Sequence, residues 1–184
     1  MAVPLVLALA LLPSAGARGS AESLTLEQQV GQLIVFSFRG TVPPAYVLET
    51  LREKRAAGVI LFAGNIASPK QLGSLTRALR RQRGRPLVAV DQEGGPVRRV
   101  PWAGPVRSEP EQVAAGSVRS DATAAAHVLR DAGITVTFAP VADVPSVGGA
   151  AIASRAFSRD PTVASAAVRD SILGWRAGGI AATA

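Results

Sequence analysis

A parallel α/β fold is predicted by three observations: a unit that recurs along the chain, proline-marked helix starts, and apolar runs too short to be helices. In the unit, a helical stretch ends at or near glycine and passes into a buried strand. It reads Ala-Ala-Gly-Val-Ile-Leu-Phe at 56–62, Arg-Gly-Arg-Pro-Leu-Val-Ala-Val at 83–90, Asp-Ala-Gly-Ile-Thr-Val-Thr-Phe at 131–138 and Ala-Gly-Gly-Ile-Ala-Ala-Thr-Ala at 177–184. Glycine accepts the left-handed conformation that ends a helix and turns the chain into the next strand. Strands that alternate with helices pair in parallel through right-handed crossovers.

Taken in order, strands are expected at Leu33 to Phe38, Val59 to Phe62, Leu87 to Val90, Ile134 to Phe138 and Ile180 to Thr183. Each is a short apolar run bounded by turn residues or charge. Helices are expected at Thr25 to Gln32, Pro44 to Ala57, Pro69 to Arg83, Pro110 to Ala132 and Pro161 to Ala177. Ser68-Pro69 and Asp160-Pro161 place a capping side chain before a proline at the first helical position, and Ser108 with Glu111 matches a capping box. Two architectures satisfy these elements, a doubly wound open sheet and part of a (β/α)8 barrel. The glycine pattern of a dinucleotide-binding sheet is absent after every strand, and a complete barrel usually needs about 250 residues.

Composition narrows the function. The 184 residues are 48% hydrophobic and 18% charged, which describes a globular chain with a core. No cysteine and one histidine leave no disulfide framework and no cysteine or histidine metal site, so neither metal nor cofactor is expected. The net charge of +7 is carried almost wholly by arginine, but the aromatics are scattered rather than interleaved with it, so nucleic acid is not the expected partner. The run Arg77, Arg80, Arg81, Arg83 and Arg85 reads as a solvated helix end that favours the macrodipole. His127 lies inside a helix and reads as packing or surface.

Residues 1–21 read as a secretion signal. Val3 to Leu12 is apolar, too short for a stable membrane span, and is followed by small residues at Ala15-Gly16-Ala17 and Gly19-Ser20-Ala21 that suit a signal peptidase. Residues 22–184 form the expected domain, secreted or associated with the cell envelope.

The chemistry concentrates at Pro86 to Pro101. Leu87 to Val90 ends abruptly in Asp91 and Glu93, then Gly94 and Gly95, then Arg98 and Arg99. In parallel α/β folds ligands bind at the loops after the carboxyl ends of strands. Asp91, the first residue past the strand, is the ligand-contact candidate, whereas Glu93 reads as a loop-holding carboxylate bonded to backbone amides. An acid/base pair of the glycosidase kind is the alternative. The second candidate is the long loop from Phe138 to Pro161, where Asp143 and Arg155 can either reach a ligand or tie the loop down through a buried ion pair. Arg159 and Asp160 read as parts of the helix start.

Val-Gly-Gln-Leu-Ile-Val-Phe-Ser-Phe from Val30, the stretch from Ala57 to Leu79, Asp-Gln-Glu-Gly-Gly from Asp91, Ala-Pro-Val-Ala-Asp-Val from Ala139 and Ser-Arg-Ala-Phe from Ser154 resemble the N-terminal domain of glycoside hydrolase family three. The Asp-Gln-Glu-Gly-Gly form is similar to its bacterial β-N-acetylglucosaminidase branch. The resemblance implies a (β/α)8 TIM barrel, of which this chain holds the N-terminal portion, about five strands with their helices. It implies retaining, metal-free hydrolysis of terminal non-reducing N-acetylhexosamine residues, with an N-acetylglucosamine-containing oligosaccharide or muropeptide as substrate, as in cell-wall recycling. By the same resemblance Asp91, Arg99 and Arg155 bind sugar, Glu93 and Asp143 support them, and Pro96 stands where the branch often has arginine.

In the resembled family the strand matching Gly-Ile-Ala-Ala-Thr-Ala runs into a Lys-His-Phe-Pro-Gly-His-Gly loop that supplies substrate contacts, with the acid/base histidine just beyond it and the nucleophilic aspartate later still. Neither is in this sequence, so no catalytic residue is assigned. The 184-residue polypeptide alone is expected to be inactive and poorly soluble. A family-three β-glucosidase and a sugar-binding half barrel without catalysis are the alternatives.

Overall fold

The computed structural model describes residues 24–147 and 149–184. The secretion signal expected at 1–21 lies outside them. Along the chain come β1 (Val35–Phe36), β2 (Gly58–Leu61), β3 (Leu87–Val90), a short hairpin of β4 (Gln92–Gly94) and β5 (Val97–Arg98), then β6 (Val136–Thr137) and β7 (Ala181–Ala182). Outside the hairpin every pairing is parallel, in the spatial order β1-β2-β3-β6-β7. That order is the order of the sequence. A doubly wound sheet reverses direction at a switch point, and this sheet has none. Each unit is laid on the same side of the one before, which is the winding of a barrel. The fold is therefore the N-terminal portion of a (β/α)8 barrel.

Register assigns the two faces. Val59 pairs with Val88, and Leu61 with Val90 and so with Thr137, which puts Val59, Leu61, Val88 and Val90 on the face that carries the helices. They join the main core with Leu51, Leu72, Leu79, Leu129 and Trp175. Each fully buried leucine contributes about 2 kcal/mol. Ile60, Ala89 and Val136 share the opposite, inner face.

The helices are α1 (Leu26–Gly31), α2 (Ala45–Arg52), α3 (Pro69–Arg80), α4 (Glu109–Ala114), α5 (Val118–Asp131) and α6 (Pro161–Ala177). Ser68 caps α3 by accepting from the Gln71 amide, and Asp160 caps α6 by accepting from the amides of Thr162 and Val163. α3 buries Leu72, Leu75, Thr76 and Leu79, one face of the helix. α5 and α6 lie close because small residues line their seam: a Cβ on Gly178 would stand 2.3 Å from the Ala126 Cβ.

Two expected helices come out differently. The single helix over 110–132 is in fact α4 and α5, broken where Gly116 takes φ +61 and the chain turns before Val118. The helix expected to reach Ala57 stops at Arg52, and Lys54 takes a left-handed φ of 59. Exposed His127 lies on α5, as the sequence suggested. No helix among the described residues is long and apolar enough to cross a membrane.

Candidate functional site

The site is built on the extended backbone that leaves β3. Its side chains alternate, so Gln92 points one way and Asp91 and Glu93 the other. Gln92 is fully buried and every polar atom of its amide is used. Its Nε2 donates to the carbonyls of Val100 (3.1 Å), Ala103 (3.1 Å) and Gly104 (2.9 Å), and its Oε1 accepts from the Val100 amide at 3.0 Å. This one side chain fixes the return path of the loop. The sequence marked the segment as a glycine-rich turn, whereas it is an antiparallel hairpin with an irregular register between Gln92 and Gly94.

Gly94 makes the hairpin possible. Its φ is +115, and a Cβ there would stand 2.2 Å from the backbone oxygen of Arg107. Gly94→Ala is expected to cost about 2 kcal/mol through a left-handed backbone and a clash with a backbone atom. Urea unfolding measures it, and a change within about 0.5 kcal/mol, the range of ordinary surface substitutions, would contradict this account.

Each acid takes its own arginine. Arg99 donates through Nε (3.2 Å) and an Nη (3.0 Å) to one oxygen of Asp91. The Arg99 guanidinium also stands 5.8 Å from the centroid of the Phe62 ring, at the end of β2, in cation–π range. Arg155, from the loop before α6, forks both oxygens of Glu93, at 2.8 and 2.5 Å. This bidentate pairing raises the guanidinium above its ordinary range, first through the hydrogen bonds to Glu93. Asp91 acts on the same guanidinium electrostatically, so the two pairs form one cluster.

Glu93 thus departs from its sequence reading: an ion pair with the half-buried Arg155, rather than backbone amides, satisfies its buried carboxylate. Of the two roles open to Arg155, the structure shows the ion pair that ties its loop to the hairpin. Asp143 is exposed and has no ion-pair partner among the described residues. Asp160 caps α6, and Arg159 donates to the carbonyls of Pro145 (3.3 Å) and Ser146 (3.4 Å), bracing the long loop.

Glu109 was not singled out from sequence. It opens α4 and is 2% exposed, and its Oε1 accepts from the Val141 amide at 2.8 Å while its Oε2 is buried with no hydrogen-bond partner among the described residues. Burial, above all, raises its carboxyl from 4.5 to about 8. The bond from Val141 opposes this, nearby Glu93 adds to it, and Arg155 opposes it. The only sequence hint was a second acid beside the capping box, where Glu111 accepts from the Ser108 amide and hydroxyl, both at 2.8 Å. Gln112, one turn on, donates to the Glu93 carbonyl at 3.2 Å and so seats α4 on the hairpin.

A sequence-ordered arc of β/α units with charged forks beyond its strand ends presents the C-terminal face of a (β/α)8-barrel domain, the face on which such barrels carry their active sites. A family model described as the glycosyl hydrolase family 3 N terminal domain matches residues 25–184, and the chain belongs to that family. It is 35% identical over 162 residues to a β-hexosaminidase of Xylella fastidiosa strain 9a5c, covering 82% of this chain and 48% of that one. Among solved structures, a family 3 β-N-acetylglucosaminidase from Paenibacillus sp. FPU-7 aligns with TM-score 0.78 at 27% identity, over 87% of this chain and 32% of that one. A β-N-acetylhexosaminidase from Beutenbergia cavernae DSM 12333 aligns with TM-score 0.74 at 28% identity, over 86% and 52%. The chain spans about half the length of the curated relatives it matches.

Proposed function

We propose that the protein is a glycoside hydrolase that releases terminal non-reducing N-acetylhexosamine residues with retention, and that residues 22–184 supply its sugar-holding half. The observation that carries this reading is the paired forks, Asp91 with Arg99 and Glu93 with Arg155, gathered beyond the strand ends. In the bound state Asp91 accepts from two sugar hydroxyls while Arg99 and Arg155 donate to ring substituents. Planar guanidinium groups already locked by carboxylates lose little further freedom on binding. Glu93 holds Arg155 in place, and no residue of this chain is assigned as nucleophile or acid/base. The substrate class proposed is an N-acetylglucosamine-containing oligosaccharide or muropeptide, with export through the signal at 1–21.

The test uses full-length protein with aryl N-acetylglucosaminide and aryl glucoside. Turnover of the first, with Asp91→Asn lowering kcat/KM by about 10- to 100-fold, is expected from the loss of charge-assisted hydrogen bonds. Preference for the glucoside would move the assignment to β-glucosidase. Sugar binding without turnover of either would reduce it to a binding protein.

A further inference from the structure

Glu109 is a buried acid that the sugar contacts do not use. It stands at the junction of three parts: α4, to which it belongs; the loop after β6, whose Val141 amide it accepts; and the Glu93–Arg155 fork, both members of which act on it electrostatically. Among the described residues, Glu93 and Arg155 are the charged groups that act on its carboxyl. Among the described residues its Oε2 is buried with no hydrogen-bond partner, so a negative charge on this carboxyl is compensated only by the Val141 amide on the other oxygen and by Arg155.

We propose that Glu109 is a positioning residue for Arg155: as a neutral acid it latches the loop after β6 onto the hairpin, and its ionisation loosens the fork and weakens sugar binding. The physical reason is competition. A neutral Glu109 leaves the guanidinium wholly to Glu93, with its exposed edge presented to ligand. An ionised Glu109 sets a second carboxylate against Glu93 and draws on the same guanidinium, which shifts Arg155 from the position the ligand requires. Around neutral pH burial keeps the acid protonated and the latch is closed.

This inference rests on the sugar-binding reading for its ligand, and the test separates the two. N-acetylglucosamine, itself uncharged, is titrated into the full-length protein and into Glu109→Gln from about pH 6 to about pH 9.5, spanning the raised carboxyl. Protection of the Val141 amide against hydrogen exchange is followed over the same range. For the unsubstituted protein the affinity is expected to fall about tenfold through a midpoint near 8, the size of one weakened charged hydrogen bond, with Val141 protection falling in step. Glu109→Gln keeps the acceptor but cannot ionise, so both of its profiles are expected to stay flat and to match the unsubstituted protein at the acid end. Parallel profiles for the two proteins in binding or in exchange would overturn the latch. Absence of N-acetylglucosamine binding at every pH would sink the sugar reading instead, and the Val141 profiles alone would then decide the latch.

Discussion

Replacing Arg155 by methionine is expected to lower the unfolding free energy by about 3 kcal/mol, the low end of what breaking a buried ion pair costs. The buried member is Glu93, whose side chain is 6% exposed, while that of Arg155 is 38% exposed. Methionine fills much of the arginine stem but leaves a carboxylate with both oxygens abandoned. Solvent reaching the arginine side already screens part of the pair, which is why the figure is not larger. The decisive comparison is the double variant. Glu93→Gln in the Arg155→Met background removes the stranded charge, so it is expected to recover at least half of the lost stability. A double variant no more stable than Arg155→Met alone would show that packing, rather than the charge, carries the effect.

Glu109→Gln is expected to do the opposite and stabilise the protein at neutral pH. The folded chain holds the Glu109 proton up to about pH 8, whereas the unfolded chain releases it near 4.5. Between those values the native state binds one more proton than the unfolded state, so stability falls as pH rises. The penalty grows by about 1.4 kcal/mol per pH step and reaches roughly 3 kcal/mol at pH 7. Glutamine is neutral in both states and incurs none of it, and its carbonyl can still accept from the Val141 amide. Urea unfolding at about pH 4, 5.5 and 7 should give a gap that is near zero at the first and widest at the last, following the linkage slope. A constant gap, or a glutamine variant that is less stable at pH 7, would mean that Glu109 is ionised in the fold.

The strands and most helices were legible because their signals are local. A glycine closing each helix and a proline opening the next act within a few residues, whatever the rest of the chain does. The choice between open sheet and barrel was not local: the repeating units suit both, the family resemblance pointed to the barrel, and the hydrogen-bonded order of β1, β2, β3, β6 and β7 shows it. The break at Gly116 was hidden in a run of alanines that read as uninterrupted helix.

For the site, Asp91 and Arg99 were singled out because they stand in one short charged stretch after a buried strand, and the structure pairs them eight residues apart. The pairing of Glu93 with Arg155 spans 62 residues, so the acid's partner could not be named from its neighbourhood. Glu109 was invisible for the same reason. On a helix's first turn an acid ordinarily faces solvent and favours the macrodipole, and only tertiary packing reveals that this one is enclosed.

The Gln92 amide governs how far apart the two acid–arginine pairs stand. Seated between Asp91 and Glu93, it works as a dowel, and the pleat around it sets the two acids about 7 Å apart, two residues along an extended chain. The spacing of the two acids is thus cut into the backbone, while their partners differ in origin: Arg99 returns along the same hairpin and Arg155 comes from the loop before α6. A change at Gln92 would therefore disturb both acid–arginine pairs at once.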